Sequence, residues 1–145
     1  MNKQKAIIID IDGTLANCAH RRHFAEAKDW KGFYDGMGDD LPNKWCCHLI
    51  DQMIPLYRII LVSGRPDDYR KITEAWLISN MIHYDDLFMR TAGDHRDDTI
   101  VKEEIYREEI EEKYNIEFIV DDRSKVVKMW RSIGLVCLQC DEGNF

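Results

Sequence analysis

Residues 6–14 read Ala6-Ile7-Ile8-Ile9-Asp10-Ile11-Asp12-Gly13-Thr14, and the change of character midway through that stretch decides the fold. Ala6 and the three isoleucines form a short, mostly β-branched run that suits a strand buried on both faces. Asp10 and Asp12 then set two carboxylates two residues apart, and Gly13 supplies a bend. A buried strand that runs out into paired acids is what a parallel sheet presents when a site lies at the carboxyl ends of its strands.

Working outward, the same pattern returns. Tyr57-Arg58-Ile59-Ile60-Leu61-Val62 ends in Ser63-Gly64-Arg65, and Ile116-Glu117-Phe118-Ile119-Val120 ends in Asp121-Asp122. Leu135-Val136-Cys137-Leu138-Gln139 is a fourth run, and Leu87-Phe88-Met89 supplies a brief fifth. Helical patterns fill the gaps. Pro66 suits a first turn, with Ile72, Ala75, Trp76 and Ser79 continuing one face to about residue 80. Asp98 or Thr99 is expected to cap a helix over 100–113 that buries Val101, Ile105 and Ile110. Ser124 is expected to cap a helix carrying Val126, Val127, Trp130 and Ile133, which Gly134 ends. A further helix over 43–53 places Trp45, Leu49 and Met53 four residues apart, so Trp45, Trp76 and Trp130 are all expected in the core. Strands alternating with helices imply right-handed crossovers and a mostly parallel sheet covered on both faces. Asp10, Ser63 and Asp121 then converge on one edge of it.

The 145 residues suit one domain, spanning 1–145, and 45% apolar content is enough for a core. A net charge of −7 excludes a generic nucleic-acid coat protein but leaves room for a local phosphate site. No apolar run approaches the ~20 residues that a membrane helix needs, so no membrane partner is expected, and no signal peptide is read. Five cysteines, an odd number, point to reduced thiols and a cytoplasmic setting. Cys137-x-x-Cys140 lacks a second pair to complete a zinc site and is read as core. Residues 16–42 break the rhythm directly after the first strand, as a small cap would. They hold His20-Arg21-Arg22-His23, the turn-rich Gly36-Met37-Gly38-Asp39-Asp40, and the aromatics Trp30, Phe33 and Tyr34. Those aromatics either pack the cap or offer a stacking surface for a base. His20 and His23 are spaced for a helix surface.

Asp10, at a strand end, can act as a nucleophile on phosphorus while Asp12 protonates the departing oxygen. Both can serve Mg²⁺, which prefers oxygen ligands. Here the chain resembles the haloacid dehalogenase-like (HAD) phosphohydrolases. Their signature of an apolar strand followed by DxDGT is matched at residues 10–14, their serine by Ser63, their lysine by Lys102, and their acidic pair by Asp121-Asp122. The stretches Val62-Ser63-Gly64-Arg65, Gly93-Asp94-His95-Arg96-Asp97-Asp98, Val101-Lys102-Glu103-Glu104-Ile105, Asp121-Asp122-Arg123 and Met129-Trp130-Arg131 are more narrowly similar to the phosphatase half of phage polynucleotide kinase/3′-phosphatases. The GxxxxGK[ST] phosphate loop of the kinase half has no match in these residues.

The resemblance implies a Rossmann-like three-layer α/β sandwich with a small cap after the first strand. It also implies a Mg²⁺-dependent phosphomonoesterase acting on the 3′-phosphate ends of DNA or RNA through an aspartyl-phosphate, with 2′,3′-cyclic ends as a side activity. Asp10 would be the nucleophile and Asp12 the acid and then the base. Ser63 and Lys102 would bind and neutralise the phosphoryl group, and Mg²⁺ would rest on Asp10, the Asp12 carbonyl and Asp122, with Asp121 as substitute. Arg21, Gly64, Arg65 and Arg96 would face the substrate. Asp98 would orient Lys102 or Arg96, or merely cap its helix. Arg21→Ala would then hurt oligonucleotide substrates more than p-nitrophenyl phosphate. A separate kinase or ligase is the expected functional partner, in the cytoplasm of a bacterial host if the gene is a phage's. A nucleotidase or other small-molecule phosphatase with the same chemistry is the alternative. A catalytically silent end-binding module is another, against which the intact set of acids and Lys102 argues.

Overall fold

The computed structural model describes residues 2–145. Its central sheet has five strands: β1 (Gln4–Ile9), β4 (Arg58–Pro66), β5 (Asp86–Arg90), β6 (Tyr114–Arg123) and β7 (Cys137–Gly143). They stand in the order β5-β4-β1-β6-β7, and every pairing is parallel. Side chains alternate across each strand, and here both faces are apolar. Ile7, Ile9, Ile59 and Leu61 point to one side, where α3 (Lys44–Met53) and α4 (Arg70–Ser79) bring Cys46, Ile50, Trp76 and Leu77. Ala6, Ile8, Ile60 and Val62 point to the other, where α5 (Asp98–Ile105) and α6 (Ser124–Ser132) pack, the latter with Val126, Val127 and Trp130. This is the Rossmann-like three-layer arrangement, with helices on both faces of a parallel sheet.

Between β1 and α3 the chain forms two short strands, β2 (Ala16–Asn17) and β3 (Leu41–Pro42), paired antiparallel. They frame α1 (Arg22–Glu26) and α2 (Trp30–Asp35), which share a small cluster of Cys18, Ala25 and Phe33. The insert is pinned to the β1 turn, where the Asn43 amide donates to the Thr14 carbonyl at 2.8 Å.

Local expectations shift in several places. Trp45 is 46% exposed. The buried residues of α3 are Cys46 and Ile50, with Leu49 and Met53 packed half-buried beside them, so of the expected stripe only Trp45 turns outward. Asp97, not Asp98 or Thr99, caps α5, its side chain accepting the Thr99 N–H. Beyond Ile105 that helix continues as a π turn over Tyr106–Ile110 and so ends before residue 113. Ser124 does not cap α6: its hydroxyl donates to Asn144 instead. Cys137 is core, but Cys140 is exposed on the edge strand β7. No helix among the described residues is long and apolar enough to cross a membrane.

Candidate active site

The site begins at the end of β1. The Asp10 N–H donates to the Val120 carbonyl of β6 at 3.0 Å, and the chain then turns on itself through Thr14 N to Ile11 O and Gly13 N to Ala16 O. Gly13 sits at φ +87°, and a Cβ there would fall on the Asp122 carboxylate, so only glycine lets the two loops meet. The Thr14 hydroxyl donates to Asp10 Oδ2 at 3.1 Å and leans toward Asp122 Oδ1 at 3.4 Å.

Lys102, on α5 and 2% exposed, extends its ammonium between two of the acids. Its Nζ donates to Asp10 Oδ1 at 2.8 Å and to Asp121 Oδ2 at 2.9 Å, with Asp98 Oδ2 at 3.9 Å. Burial alone would push this lysine down, yet Asp10 and Asp121 hold its charged form well above the usual range. Asp10 itself is pushed well up, first by burial and then by Asp121, which Lys102 only partly offsets. Burial and Asp121 likewise push Asp122 up, to about 6.

Asp10, Asp121 and Asp122 each offer a carboxylate oxygen, all within 4.8 Å of one another. Asp121 has its oxygens engaged by Lys102 Nζ and the Arg123 N–H, whereas Asp122 Oδ2 is buried with no hydrogen-bond partner. An acid cluster that raises its own proton affinity, with one oxygen left orphaned, fits a hard divalent cation. Both members of the acidic pair thus stand in the carboxylate cluster with Asp10. The Asp12 side chain is turned away onto two arginines, leaving only its backbone carbonyl as a ligand.

Those arginines are Arg21 and Arg65, each 1% exposed. Arg65 grips Asp12 through Nε and Nη2, the latter at 2.7 Å, and Arg21 donates to it through Nη2. Burial works to raise Asp12, but Arg65 and Arg21 outweigh it and hold the carboxyl well below the usual range. The remaining donors of Arg21 go to Asp40 and the Phe33 carbonyl, and Nη1 of Arg65 goes to Thr73. Expected on the substrate wall, both arginines instead stand behind Asp12, off the cleft lining. Together they fix the direction of the Asp12 carboxylate.

The other expected residues scatter more. Ser63 is fully buried at the sheet edge, its Oγ accepting the Arg65 N–H at 3.1 Å, which leaves its own O–H free to donate. Gly64 lines the cleft through its backbone: its carbonyl accepts from Tyr34 Oη and Arg90 Nε, and a Cβ there would fall on Asp98. Asp98 faces inward, pairing with Arg90 at 3.0 Å and Arg123 at 3.4 Å. It does not touch Arg96, which sits half-exposed on the rim with its guanidinium spent on Asp94 and Glu104. His20, read as a plain surface residue, bonds Asp40 at 2.7 Å.

Three residues that sequence reasoning passed over matter here. Arg90 closes β5, so the strand-end rule could have found it. Arg123 directly follows the acidic pair. Asp40, buried in the insert, anchors Arg21, and nothing in its turn-rich surroundings signals this. Above the acids opens a cleft of about 890 Å³, lined by Asp10, Asp12 and Lys102 at its floor and by Trp30, Tyr34 and Phe145 on its walls.

This geometry agrees with what the chain resembles. Residues 4–145 match the family model for the polynucleotide kinase PNKP phosphatase domain. A protein of Autographa californica nuclear polyhedrosis virus, assigned as a bifunctional polynucleotide kinase/RNA ligase, is 26% identical over 132 residues, 89% of this chain and 18% of its own. Two solved structures, of a Pnkp1/Rnl/Hen1 complex and of the Pnkp1/Rnl/Hen1 RNA repair complex, contain chains 37% and 36% identical, each with a TM-score of 0.88. All of this chain is covered in both, against 48% and 46% of theirs, so it spans about half the length of these solved relatives. A hydrolase from Streptococcus pneumoniae TIGR4, 15% identical with a TM-score of 0.61 over 94% of this chain and 92% of its own, shares the fold. The chain belongs to the PNKP phosphatase-domain family and is a phosphatase of the HAD type.

Proposed function

We propose that this domain removes the phosphate from the 3′ ends of nucleic acid in RNA repair. The observation that carries the reading is the Lys102 ammonium bridging Asp10 and Asp121 under an open cleft, in a chain matched to the family almost end to end. Asp10 attacks phosphorus and the bond to the 3′ oxygen breaks, giving an aspartyl-phosphate. Asp12 gives its proton to that departing oxygen. Water then attacks the same phosphorus, Asp12 takes the proton back, and inorganic phosphate leaves with the Asp10 carboxylate restored. Asp12 rests as a carboxylate, so the proton it donates is first taken from solvent as the negative charge of the arriving phosphate raises its proton affinity. Lys102 and the Ser63 hydroxyl offset charge on the phosphoryl oxygens. Mg²⁺ held by Asp10, Asp122 and the Asp12 carbonyl would supply further charge neutralisation.

The cleft lies near the upper end of the usual size for small-ligand sites, and much larger than a phosphate needs. Relatives bearing the names of a kinase/ligase and an RNA repair complex favour strand ends over free nucleotides, and coupling to a separate ligase. Five free cysteines accord with work in a reducing compartment such as the cytoplasm.

Phosphate release with and without Mg²⁺, from a 3′-phosphorylated oligonucleotide, its 5′-phosphorylated isomer and free mononucleotides, tests the reading. Strong Mg²⁺-dependent preference for the 3′-phosphorylated strand is expected. Preference for mononucleotides would keep the chemistry and overturn the substrate.

A further inference from the structure

We infer that Trp30, Arg123 and Phe145 form a stacking seat for the base of the nucleotide that carries the phosphate, an inference that rests on the nucleic-acid reading above. Trp30 lies on the cleft wall and is 37% exposed, although it stands among aromatics that could have covered it. Phe33 meets it edge-on at 5.8 Å and Tyr34 lies nearly parallel at 6.3 Å, so the indole is braced from its own helix. Across from it, the Arg123 guanidinium lies 5.7 Å from the Trp30 ring and 4.9 Å from the Phe145 ring. Arg123 is itself fixed, its Nε donating to the Phe145 carbonyl and its Nη1 lying 3.4 Å from Asp98.

The spacing along the chain gives this stack its meaning. Arg123 is the residue after Asp122, so the aromatic layer hangs directly from the acidic pair that faces the phosphoryl group. All three residues line the same cleft as Asp10. Flat aromatic and guanidinium surfaces accept any base, because every base has a π face. A seat built this way recognises that a base is present and leaves its identity unread, as an enzyme serving broken ends of any sequence requires.

The test compares kcat/KM on two matched pairs. One pair is a 3′-phosphorylated oligonucleotide with a normal or an abasic (tetrahydrofuran) last residue. The other is a nucleoside 3′-monophosphate and the corresponding abasic sugar phosphate. The wild-type protein should favour the base-bearing member by about 10-fold, in line with the usual worth of one stacked base. Trp30→Ala should shrink that ratio to within about twofold, and Trp30→Phe should restore part of it. A circular-dichroism melt matching wild type would confirm that the variant folds. Equal use of base-bearing and abasic substrates by the wild type, or a ratio untouched by Trp30→Ala, overturns the seat. If neither oligonucleotide is turned over while the mononucleotide pair is, the strand-end reading falls, and the mononucleotide ratio still decides the seat.

Discussion

Asp122 and Asp12 occupy one site yet titrate in opposite directions, because of what each carboxylate faces. Asp12 meets Arg65 and Arg21, while Asp122 meets burial and Asp121. For Asp122, with a folded value of about 6 against an unfolded one in the usual carboxylate range, the protonated form is favoured by folding. That stability is fully present below the unfolded value and is lost as pH rises through about 6. Asp10 acts in the same sense. Asp12 acts in the opposite one, its contribution being present above the usual carboxylate range and lost only in strong acid. Metal-free protein should therefore melt lower at pH 8 than at pH 5, and added Mg²⁺ should raise the melting temperature at pH 8 and much less at pH 5. Asp122→Asn removes the unfavourable charge, worth on the order of 3 kcal/mol. The metal-free variant should melt several degrees higher at pH 8, with the Mg²⁺ response nearly gone. Differential scanning fluorimetry across pH reads both; a flat profile, or a variant that still responds to Mg²⁺, would contradict this account. Asp10, Asp121 and Asp122 were legible in the sequence because each follows a buried apolar run. The opposite titration of Asp12 was not, since it depends on arginines brought in from elsewhere in the fold.

At the scale of elements, the insert is tied to the catalytic turn through a chain of buried charge. Asp40 accepts from Arg21 through both oxygens and from His20, and Arg21 passes the constraint to Asp12. The Asp40 backbone carbonyl accepts from Trp76 Nε1 of α4 at 2.8 Å, which fixes the insert to the sheet and its helices. Asp40→Ala leaves Arg21 buried and poorly partnered, a loss of roughly 3–5 kcal/mol for breaking such a pair. Because the damage falls on the aim of Asp12, kcat/KM should drop by similar factors for a 3′-phosphorylated oligonucleotide and for p-nitrophenyl phosphate, with Arg21→Ala behaving alike. That reverses the selectivity expected when Arg21 was read as a substrate contact. A loss confined to the oligonucleotide would return Arg21 to the cleft wall. The five strands were readable from short apolar runs because both faces of the sheet are covered. The centre of the α3 face was not: Trp45-Leu49-Met53 and Cys46-Ile50 are neighbouring stripes of equal period, and only the position of the sheet puts Cys46 and Ile50 deepest and leaves Trp45 outside.

For the whole molecule, the parallel order β5-β4-β1-β6-β7 brings the ends of β1, β4 and β6 to one edge, where residues about 110 positions apart in sequence meet. The insert rises over that edge, and Phe145 packs against the insert's small apolar cluster beside the cleft. The net charge is −7, and the cations that line the cleft at this edge, Arg90, Lys102 and Arg123 among them, stand interleaved with acids. Sequence pattern located the edge; it could not show that Trp30 and Phe145 would close on Arg123, since that contact joins three distant segments. In the proposed reaction Asp10 takes the phosphoryl group. The most direct test of this step is an acid quench during turnover of an oligonucleotide bearing a ³²P-labelled 3′-phosphate in the presence of Mg²⁺. Label that hydroxylamine releases should appear on the protein, with neither label nor phosphate release from Asp10→Asn, whose turnover should fall by on the order of 10³-fold or more while its fold stays intact. Near-normal hydrolysis by Asp10→Asn, or label that survives the substitution, would contradict that role for Asp10.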